Sequence, residues 1–143
     1  MSDILQTDTL RTLGADVEAS SVRILVVDDE ESMVDLVCCM LHNLNVEASR
    51  ASGSRQARHY LEEGRYDLLV TDLQMPDMNG FELAGWAKSS LLVDKVVIMT
   101  ACPEVEEYRA LIPSPVDYWL FKPFSFTEFT TVIRSMLGPG ARY

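Results

Sequence analysis

The stretch LLVTDLQMPDMNG, residues 68 to 80, joins an apolar run to an acidic residue and then to a turn-forming segment. Its first residues are typical of a buried strand, and Asp72 follows them directly. Burying a polar group without a hydrogen bond costs on the order of 2 to 7 kcal/mol, and an unpaired charge costs more. Asp72 therefore needs solvent, a cation or a helix N-terminus beside it, and the rest of the chain should supply one of these.

Apolar runs like this one alternate along the chain with segments of helical spacing. The predicted strands are residues 23–27, 46–51, 66–71, 95–99 and 116–121. The predicted helices are a segment from Met33 to Leu44, one that Ser54 caps and Gly64 ends, and segments near 81–89, 104–111 and 125–137, the last opened by a Ser125–Glu128 capping box. Five strands that alternate with five helices predict an α/β fold with right-handed crossovers and a doubly wound parallel sheet.

The first predicted helix carries a stripe of apolar residues at helical spacing. Its members are Met33, Leu36, Val37, Met40, Leu41 and Leu44. This spacing predicts that one face of the helix packs against the sheet.

Composition limits the functions that the chain can have. With 143 residues, 48% of them hydrophobic, the chain suits one globular domain with a substantial core. A net charge of −10 argues against direct binding to nucleic acid or to an anionic membrane. No apolar run approaches the roughly 18 residues of a membrane span, and the first residues lack the layout of a secretory signal, so we expect a cytoplasmic protein. The 3 cysteines show neither a disulfide framework nor a metal-binding spacing.

We divide the chain into three parts. Residues 1–21 are predicted to be an N-terminal leader, partly flexible or helical, because only a weak helical stripe interrupts their polar sequence. Residues 22–138 hold the alternating strands and helices and should form the folded domain. Residues 139–143 are predicted to be a C-terminal tail.

Polar residues follow the predicted strands at the edge where such sheets bind ligands, beyond the carboxyl ends of the strands. They are Asp28, Asp29, Asp72, Thr100 and Lys122. Neighbouring strands lie about 4.8 Å apart, so carboxylates on the first and third strands can share one ion, and the long Lys122 side chain can reach across. Two carboxylates at 4 Å repel by about 4 kcal/mol at an effective dielectric near 20, which calls for a cation or for Lys122.

This set of residues indicates phosphoryl transfer. Oxygen ligands without His or Cys suit a hard cation, which favours Mg²⁺ over zinc. A carboxylate, a hard cation, a hydroxyl and an ammonium can together form an acyl phosphate on Asp72 and offset the charge of its oxygens. Because neither a general base nor a glycine-rich phosphate cradle is evident, we predict that the chain receives a phosphoryl group and holds it.

Four motifs, in this order, resemble those of the receiver domain of bacterial two-component response regulators. They are ILVVDDE at 24–30, LLVTDLQMPDMNG at 68–80, VVIMTA at 96–101 and FKPF at 121–124. The resemblance covers about residues 22–138 and implies a flavodoxin-like sheet with strand order 2-1-3-4-5. It also implies a sensor histidine kinase or phosphotransfer protein as phosphodonor, and a downstream protein target or a fused output domain as recipient of the signal. A homodimer is compatible with it.

The resemblance assigns roles to the residues at the strand ends. Asp72 would be the phosphoacceptor. Asp28 and Asp29 would hold Mg²⁺ together with Asp72, with Asp29 preferred as a direct ligand, and Gln74 would add its backbone carbonyl. Lys122 would pair with the phosphoryl oxygens.

The resemblance also implies a switch. Thr100 would hydrogen-bond the phosphoryl group in the active state, and the Lys122–Pro123 peptide would be cis. Trp119 stands where the family usually has Tyr or Phe, and its larger indole is expected to change environment rather than flip fully. The Gly-Ala usual before the fifth strand is replaced around residues 114–116.

We therefore predict a phosphoacceptor regulator, not an enzyme, that forms and slowly loses an aspartyl phosphate and so alters a partner-binding face. That face would consist of the fourth helix, the fifth strand and the fifth helix. One alternative is a Mg²⁺-dependent phosphohydrolase, although such hydrolases often have an aspartate at the position of Gln74. A degenerate receiver used only for docking is a third reading, against which the complete acid set argues.

Several of these residues also have simpler explanations. Asp28 and Asp29 could cap the first helix. Turn chemistry explains Asp77 and Asn79 better than metal binding does. The two histidines lie in predicted helices remote from the strand ends, so we do not expect them to act as catalysts.

Overall fold

The computed structural model describes residues 22–101 and 105–138. The predicted leader, residues 1–21, and the predicted tail, residues 139–143, lie outside the described residues. So do residues 102–104, the last of which is the predicted start of the fourth helix.

A five-stranded parallel sheet lies at the centre of the fold, in the order β2-β1-β3-β4-β5. The strands are β1 Ile24–Val27, β2 Ser49–Ala51, β3 Tyr66–Asp72, β4 Val93–Thr100 and β5 Tyr118–Phe121. Within the described ranges the helices are α1 Glu31–His42, α2 Ser54–Glu63, α3 Gly80–Ser89, α4 Val105–Arg109 and α5 Phe126–Leu137. The predicted fold class and strand order are confirmed.

The strands alternate their side chains between two cores. Ile24 and Val26 of β1 point to the face covered by α1 and α5, whereas Leu25 and Val27 point to the face covered by α2 and α3. Because successive side chains of a strand point to opposite faces, a strand buried on both sides is apolar throughout. This explains why the strands read as continuous apolar runs.

The register brings the strand ends level with one another. Val27 of β1 pairs with Thr71 of β3, and Asp72 pairs with Met99 of β4. On the other side of β4, Thr100 pairs with Phe121. The residues that end β1, β3, β4 and β5 therefore lie along one edge of the sheet.

Two of the predicted strands begin more than one residue later than expected. β2 begins at Ser49 rather than at residue 46, because the chain before it bonds to the end of α1, where the Val46 N–H donates to the Leu41 carbonyl (3.0 Å). β5 begins at Tyr118 rather than at residue 116. Just before it, the Asp117 carboxylate accepts the Val96 N–H at 2.8 Å.

One member of the predicted α1 stripe is wrong. Leu36 is 45% exposed, and Val34, which the stripe omitted, is 4% exposed. One residue step turns a helix by about 100°, so Leu36 lies far around the helix from the buried Val37. Spacing alone did not fix the centre of the buried face, which the sheet determines.

The predicted cap of α2 is also wrong. Gly53 is the N-cap residue, and Ser54 is the first residue of the helix. The buried Ser54 hydroxyl accepts a hydrogen bond from the Met78 N–H at 3.2 Å. It therefore ties α2 to the loop after β3. The predicted end of this helix at Gly64 and the predicted capping box of α5 are confirmed.

No helix in the described ranges combines the length and apolar content needed to cross a membrane.

Candidate functional site

Three carboxylates meet at the carboxyl edge of the sheet. Asp28, Asp29 and Asp72 each place one oxygen so that the three atoms lie within 4.8 Å of one another. The pairing of Val27 with Thr71 brings the first and last of these residues level on adjacent strands. Asp28 is 1% exposed, Asp72 is partly buried and Asp29 is exposed. The cluster is thus closed at Asp28 and open to solvent at Asp29.

Lys122 reaches this cluster from the edge strand. Its Nζ donates to Oδ2 of Asp28 at 3.3 Å and to Oδ1 of Asp72 at 3.1 Å. Its backbone N–H donates to the Thr100 carbonyl at 2.9 Å, which holds the start of the lysine beside β4. The Lys122–Pro123 peptide is cis, as expected.

Burial and charge together set the ionisation of the site. Burial raises the pKa of Asp72, and the nearby Lys122 ammonium opposes this shift. Burial also raises the pKa of Asp28, opposed by the Glu30 N–H, which donates to Oδ1 at 2.9 Å, while the charge of Asp72 adds to the increase. Burial lowers the pKa of Lys122, but Asp72 and Asp28 raise it more, so that it lies above its ordinary value.

The donor set fits a divalent hard cation. When ionised, three carboxylates and one ammonium leave two formal negative charges at the site. All the clustered ligand atoms are carboxylate oxygens, which is the chemistry that Mg²⁺ prefers. The exposed side at Asp29 leaves room for the waters that Mg²⁺ usually keeps. Gln74, the predicted carbonyl ligand, is exposed on the loop two residues after Asp72.

Thr100 and Trp119, the predicted switch residues, lie in different surroundings. Thr100 is 1% exposed and ends β4, one residue beyond the partner of Asp72. Trp119 is partly buried on β5 and pairs with Ile98. The structure therefore brings Thr100 to the edge that carries the carboxylates, whereas Trp119 belongs to an aromatic cluster beside α3.

The aromatic cluster consists of Phe81, Tyr108 and Trp119, and the sequence pattern did not predict it. The ring centroids are 5.0 Å apart for Phe81 and Tyr108, 6.4 Å for Phe81 and Trp119, and 6.3 Å for Tyr108 and Trp119. The Tyr108 hydroxyl also accepts a hydrogen bond from Asn79 Nδ2 at 3.4 Å. The three rings come from α3, α4 and β5, and no local spacing connects them, so only the fold reveals the contact.

The structure supports some of the simpler explanations of these residues and contradicts others. Asp28 does not cap α1, whose N-cap is Glu30, and instead bonds one N–H before the helix. Asn79 is the N-cap residue of α3 and forms a complete capping box, which confirms its structural role. Asp77 is exposed and lies 3.8 Å from an Arg55 nitrogen. Both histidines lie on exposed faces of α1 and α2, beside glutamates.

The chain is similar to curated proteins of known type. It is 30% identical over 117 residues to the transcriptional regulatory protein TcrA of Mycobacterium tuberculosis, covering 82% of this chain and 46% of TcrA. It is 26% identical over 120 residues to the transcriptional regulatory protein CusR of Escherichia coli K12, covering 84% of this chain and 53% of CusR. The chain thus spans about half the length of these curated relatives.

Solved structures show the same architecture. The response regulator TrrA of Thermotoga maritima, solved in complex with Mg(2+)-BeF, is 31% identical, with a TM-score of 0.70 over 81% of this chain and 99% of that one. The chemotaxis response regulator CheY4 of Vibrio cholerae, at 24% identity, has a TM-score of 0.73 over 82% of this chain and 99% of its own and shows a similarity of fold. A family model described as "Response regulator receiver domain" matches residues 24–134. The chain therefore belongs to the receiver domain family of response regulators.

Proposed function

We propose that this chain accepts a phosphoryl group on Asp72 in a Mg²⁺-dependent reaction and then passes the signal to a protein partner. The observation that carries the proposal is the setting of the Asp72 carboxylate. One of its oxygens lies 3.1 Å from Lys122 Nζ, and the side chain shares a cluster with Asp28 and Asp29. A nucleophile, an ammonium and a set of cation ligands thus lie within reach of one phosphoryl group.

The chemistry follows from these side chains. An Asp72 carboxylate oxygen attacks the phosphorus of a phosphohistidine, a phosphorus–oxygen bond forms, and the phosphorus–nitrogen bond breaks as the imidazole leaves with the electron pair. Lys122 then donates to the phosphoryl oxygens. Asp28, Asp29, Asp72 and the Gln74 carbonyl would hold Mg²⁺, which when bound offsets negative charge on the phosphoryl oxygens.

The partners are inferred from the family and from the charge of the chain. The phosphodonor would be a sensor histidine kinase or a phosphotransfer protein. The sensor protein GacS of Pseudomonas syringae pv. syringae is itself similar to this chain. The two are 27% identical over 151 residues, and the match covers 16% of GacS. The recipient would be a downstream protein or a fused output domain. A net charge of −10 opposes direct contact with nucleic acid by this chain.

The decisive experiment is incubation with acetyl phosphate and Mg²⁺, followed by intact mass and by free phosphate. We expect one labile adduct per chain, absent without Mg²⁺ and absent in Asp72→Asn, whose amide is not a nucleophile. Asp77→Asn is the matched control, because it makes the same chemical change at an exposed position of the same loop.

Two results would contradict the proposal. An adduct that persists unchanged in Asp72→Asn would place the reactive group elsewhere. Many molecules of phosphate released per chain, without accumulation of the adduct, would identify the chain as a phosphohydrolase that works through the same aspartate.

A further inference from the structure

The N-terminus of α3 lies directly against the backbone of Asp72. The buried Gly80, which begins the helix, donates its N–H to the Leu73 carbonyl at 2.8 Å. The loop of residues 73–79 therefore starts and ends at the same place. Any change in where α3 begins acts directly on the backbone that carries the Asp72 side chain.

Gly80 has no room for a side chain. A Cβ at this position would lie 2.1 Å from the Asp72 carbonyl oxygen, 3.1 Å from its carbonyl carbon and 3.2 Å from the Leu73 Cα. All three are backbone atoms, so rotation of a side chain cannot relieve the contact. An increase from 2.1 Å to the 3.0 Å below which real Cβ contacts essentially never occur requires a backbone shift of about 0.9 Å.

That shift cannot be absorbed by the helix alone. α3 is fixed in the core by Leu83, Ala84 and Ala87, each 0% exposed, and its start is fixed by the capping box at Asn79. On the other side of the contact, Asp72 is the last residue of β3, and the next N–H, that of Leu73, still donates to the Met99 carbonyl at 3.2 Å. The added Cβ must therefore displace the backbone at the end of the strand as well as at the start of the helix.

We infer that Gly80 is a positioning residue for Asp72: the absence of a Cβ lets α3 begin where the Asp72 carboxylate is held beside Lys122 and the other two acids. The inference rests on the proposed function only where it assumes that the position of the Asp72 carboxylate matters for phosphoryl transfer. A misplacement of about 1 Å at a reacting group can reduce a rate about 100-fold. With Asp72 Oδ1 only 3.1 Å from Lys122 Nζ, a displacement of about 0.9 Å away from the ammonium would break their hydrogen bond.

The test compares Gly80→Ala with Gly85→Ala in the same helix. A Cβ at Gly85 meets no atom of the described residues within 4 Å, and alanine there should add helix stability. We expect Gly80→Ala to slow adduct formation with acetyl phosphate at least tenfold at saturating Mg²⁺, and Gly85→Ala to react at the wild-type rate. A crystal structure of metal-free Gly80→Ala should show Asp72 Oδ1 and Lys122 Nζ more than about 3.5 Å apart.

The double variant Gly80→Ala/Gly85→Ala serves as a second test in case Gly80→Ala alone does not fold. Its alanine at position 85 should restore part of the stability that the alanine at position 80 removes. A folded double variant with the wild-type rate, or with the wild-type distance between Asp72 and Lys122, overturns the inference. So does a double variant that does not fold, because the contact would then support the whole domain rather than one side chain. If the wild type itself forms no adduct, the proposed function fails, whereas the crystallographic distance still decides whether Gly80 positions Asp72.

Discussion

At the scale of single residues, the site holds acids in an unfavourable electrostatic state. Asp28 and Asp72 are desolvated and close to each other, and both form an ion pair with the same lysine, Lys122. Burial of charges costs free energy that one ammonium only partly offsets. The metal-free site should therefore be less stable than a neutral site of the same shape.

Asp72→Asn should raise the free energy of unfolding at pH 7 by roughly 1 kcal/mol in the absence of metal. Burial raises the pKa of Asp72 above its ordinary 3.8, so the folded protein binds this proton more tightly than the unfolded chain does. By linkage, the wild type loses stability as the pH rises from 3.8 through the folded-state value. The amide has no such ionisation, and its oxygen can still accept a hydrogen bond from Lys122.

Urea denaturation at several pH values, with a chelator present, measures this effect. The difference between Asp72→Asn and the wild type should shrink as the pH falls toward 3.8, where the wild-type carboxyl becomes protonated in both states. Asp77→Asn, which makes the same chemical change at an exposed position, is the matched control. A destabilised Asp72→Asn at pH 7 would contradict the electrostatic interpretation of the site.

At the scale of helices and strands, the sequence predicts what is set locally. Asp72 could be placed at the end of a strand because an apolar run precedes it and a turn follows, and Asp28 because an apolar run precedes it and a helix follows. The prediction that Leu36 packs against the sheet is wrong, because the sheet decides which side of α1 is buried. The prediction that Ser54 caps α2 is wrong, because its hydroxyl bonds to the Met78 N–H, 24 positions away. Contacts that join distant elements leave no spacing to detect.

The aromatic cluster of Phe81, Tyr108 and Trp119 should report phosphorylation. Tyr108 comes from the short helix α4 and bonds to Asn79, so the cluster joins α4 to the loop that begins at Asp72. A phosphoryl group adds roughly −1.5 to −2 charge and three acceptor oxygens. These oxygens should attract the Lys122 ammonium and shift the conformational equilibrium of the loops around the site. We therefore expect Trp119 to change its environment when the site is occupied.

Fluorescence of the Trp86→Phe variant isolates Trp119 for this measurement. Titration with beryllofluoride and Mg²⁺ should give a saturable change in its emission, because the cluster surrounds the indole with two other rings. The same titration of Trp86→Phe/Asp72→Asn should give none. Full occupancy of Asp72 with unchanged Trp119 emission would show that the signal leaves the site by another route.

At the scale of the whole molecule, the net charge of the chain and the charge of the site are both negative, and both destabilise the folded state. The net charge is −10, and three of the acids lie in one cluster at the sheet edge. Self-repulsion destabilises a compact state, so cations should stabilise this fold in two ways. Any salt screens the overall charge, whereas Mg²⁺ also binds the cluster.

Mg²⁺ should therefore raise the free energy of unfolding beyond the effect of ionic strength. A ligand that binds only the folded state adds about 2.7 kcal/mol at 100 times its dissociation constant. We expect this increase in urea denaturation when MgCl₂ replaces KCl at constant ionic strength. Asp29→Ala removes one of the three clustered oxygens. A tenfold loss of affinity in this variant would reduce the gain at the same Mg²⁺ concentration by about 1.4 kcal/mol.

Glu31→Ala is the matched control for this last comparison, because it removes an exposed acid two residues away, in the first turn of α1 and outside the cluster. It changes the net charge by the same amount as Asp29→Ala, so it should alter the response to KCl equally and keep the full response to Mg²⁺. Equal Mg²⁺ responses in the two variants would mean that the cation acts only on the overall charge. A response lost in Asp29→Ala alone would place the cation at the carboxyl edge of the sheet, beside the proposed phosphoacceptor.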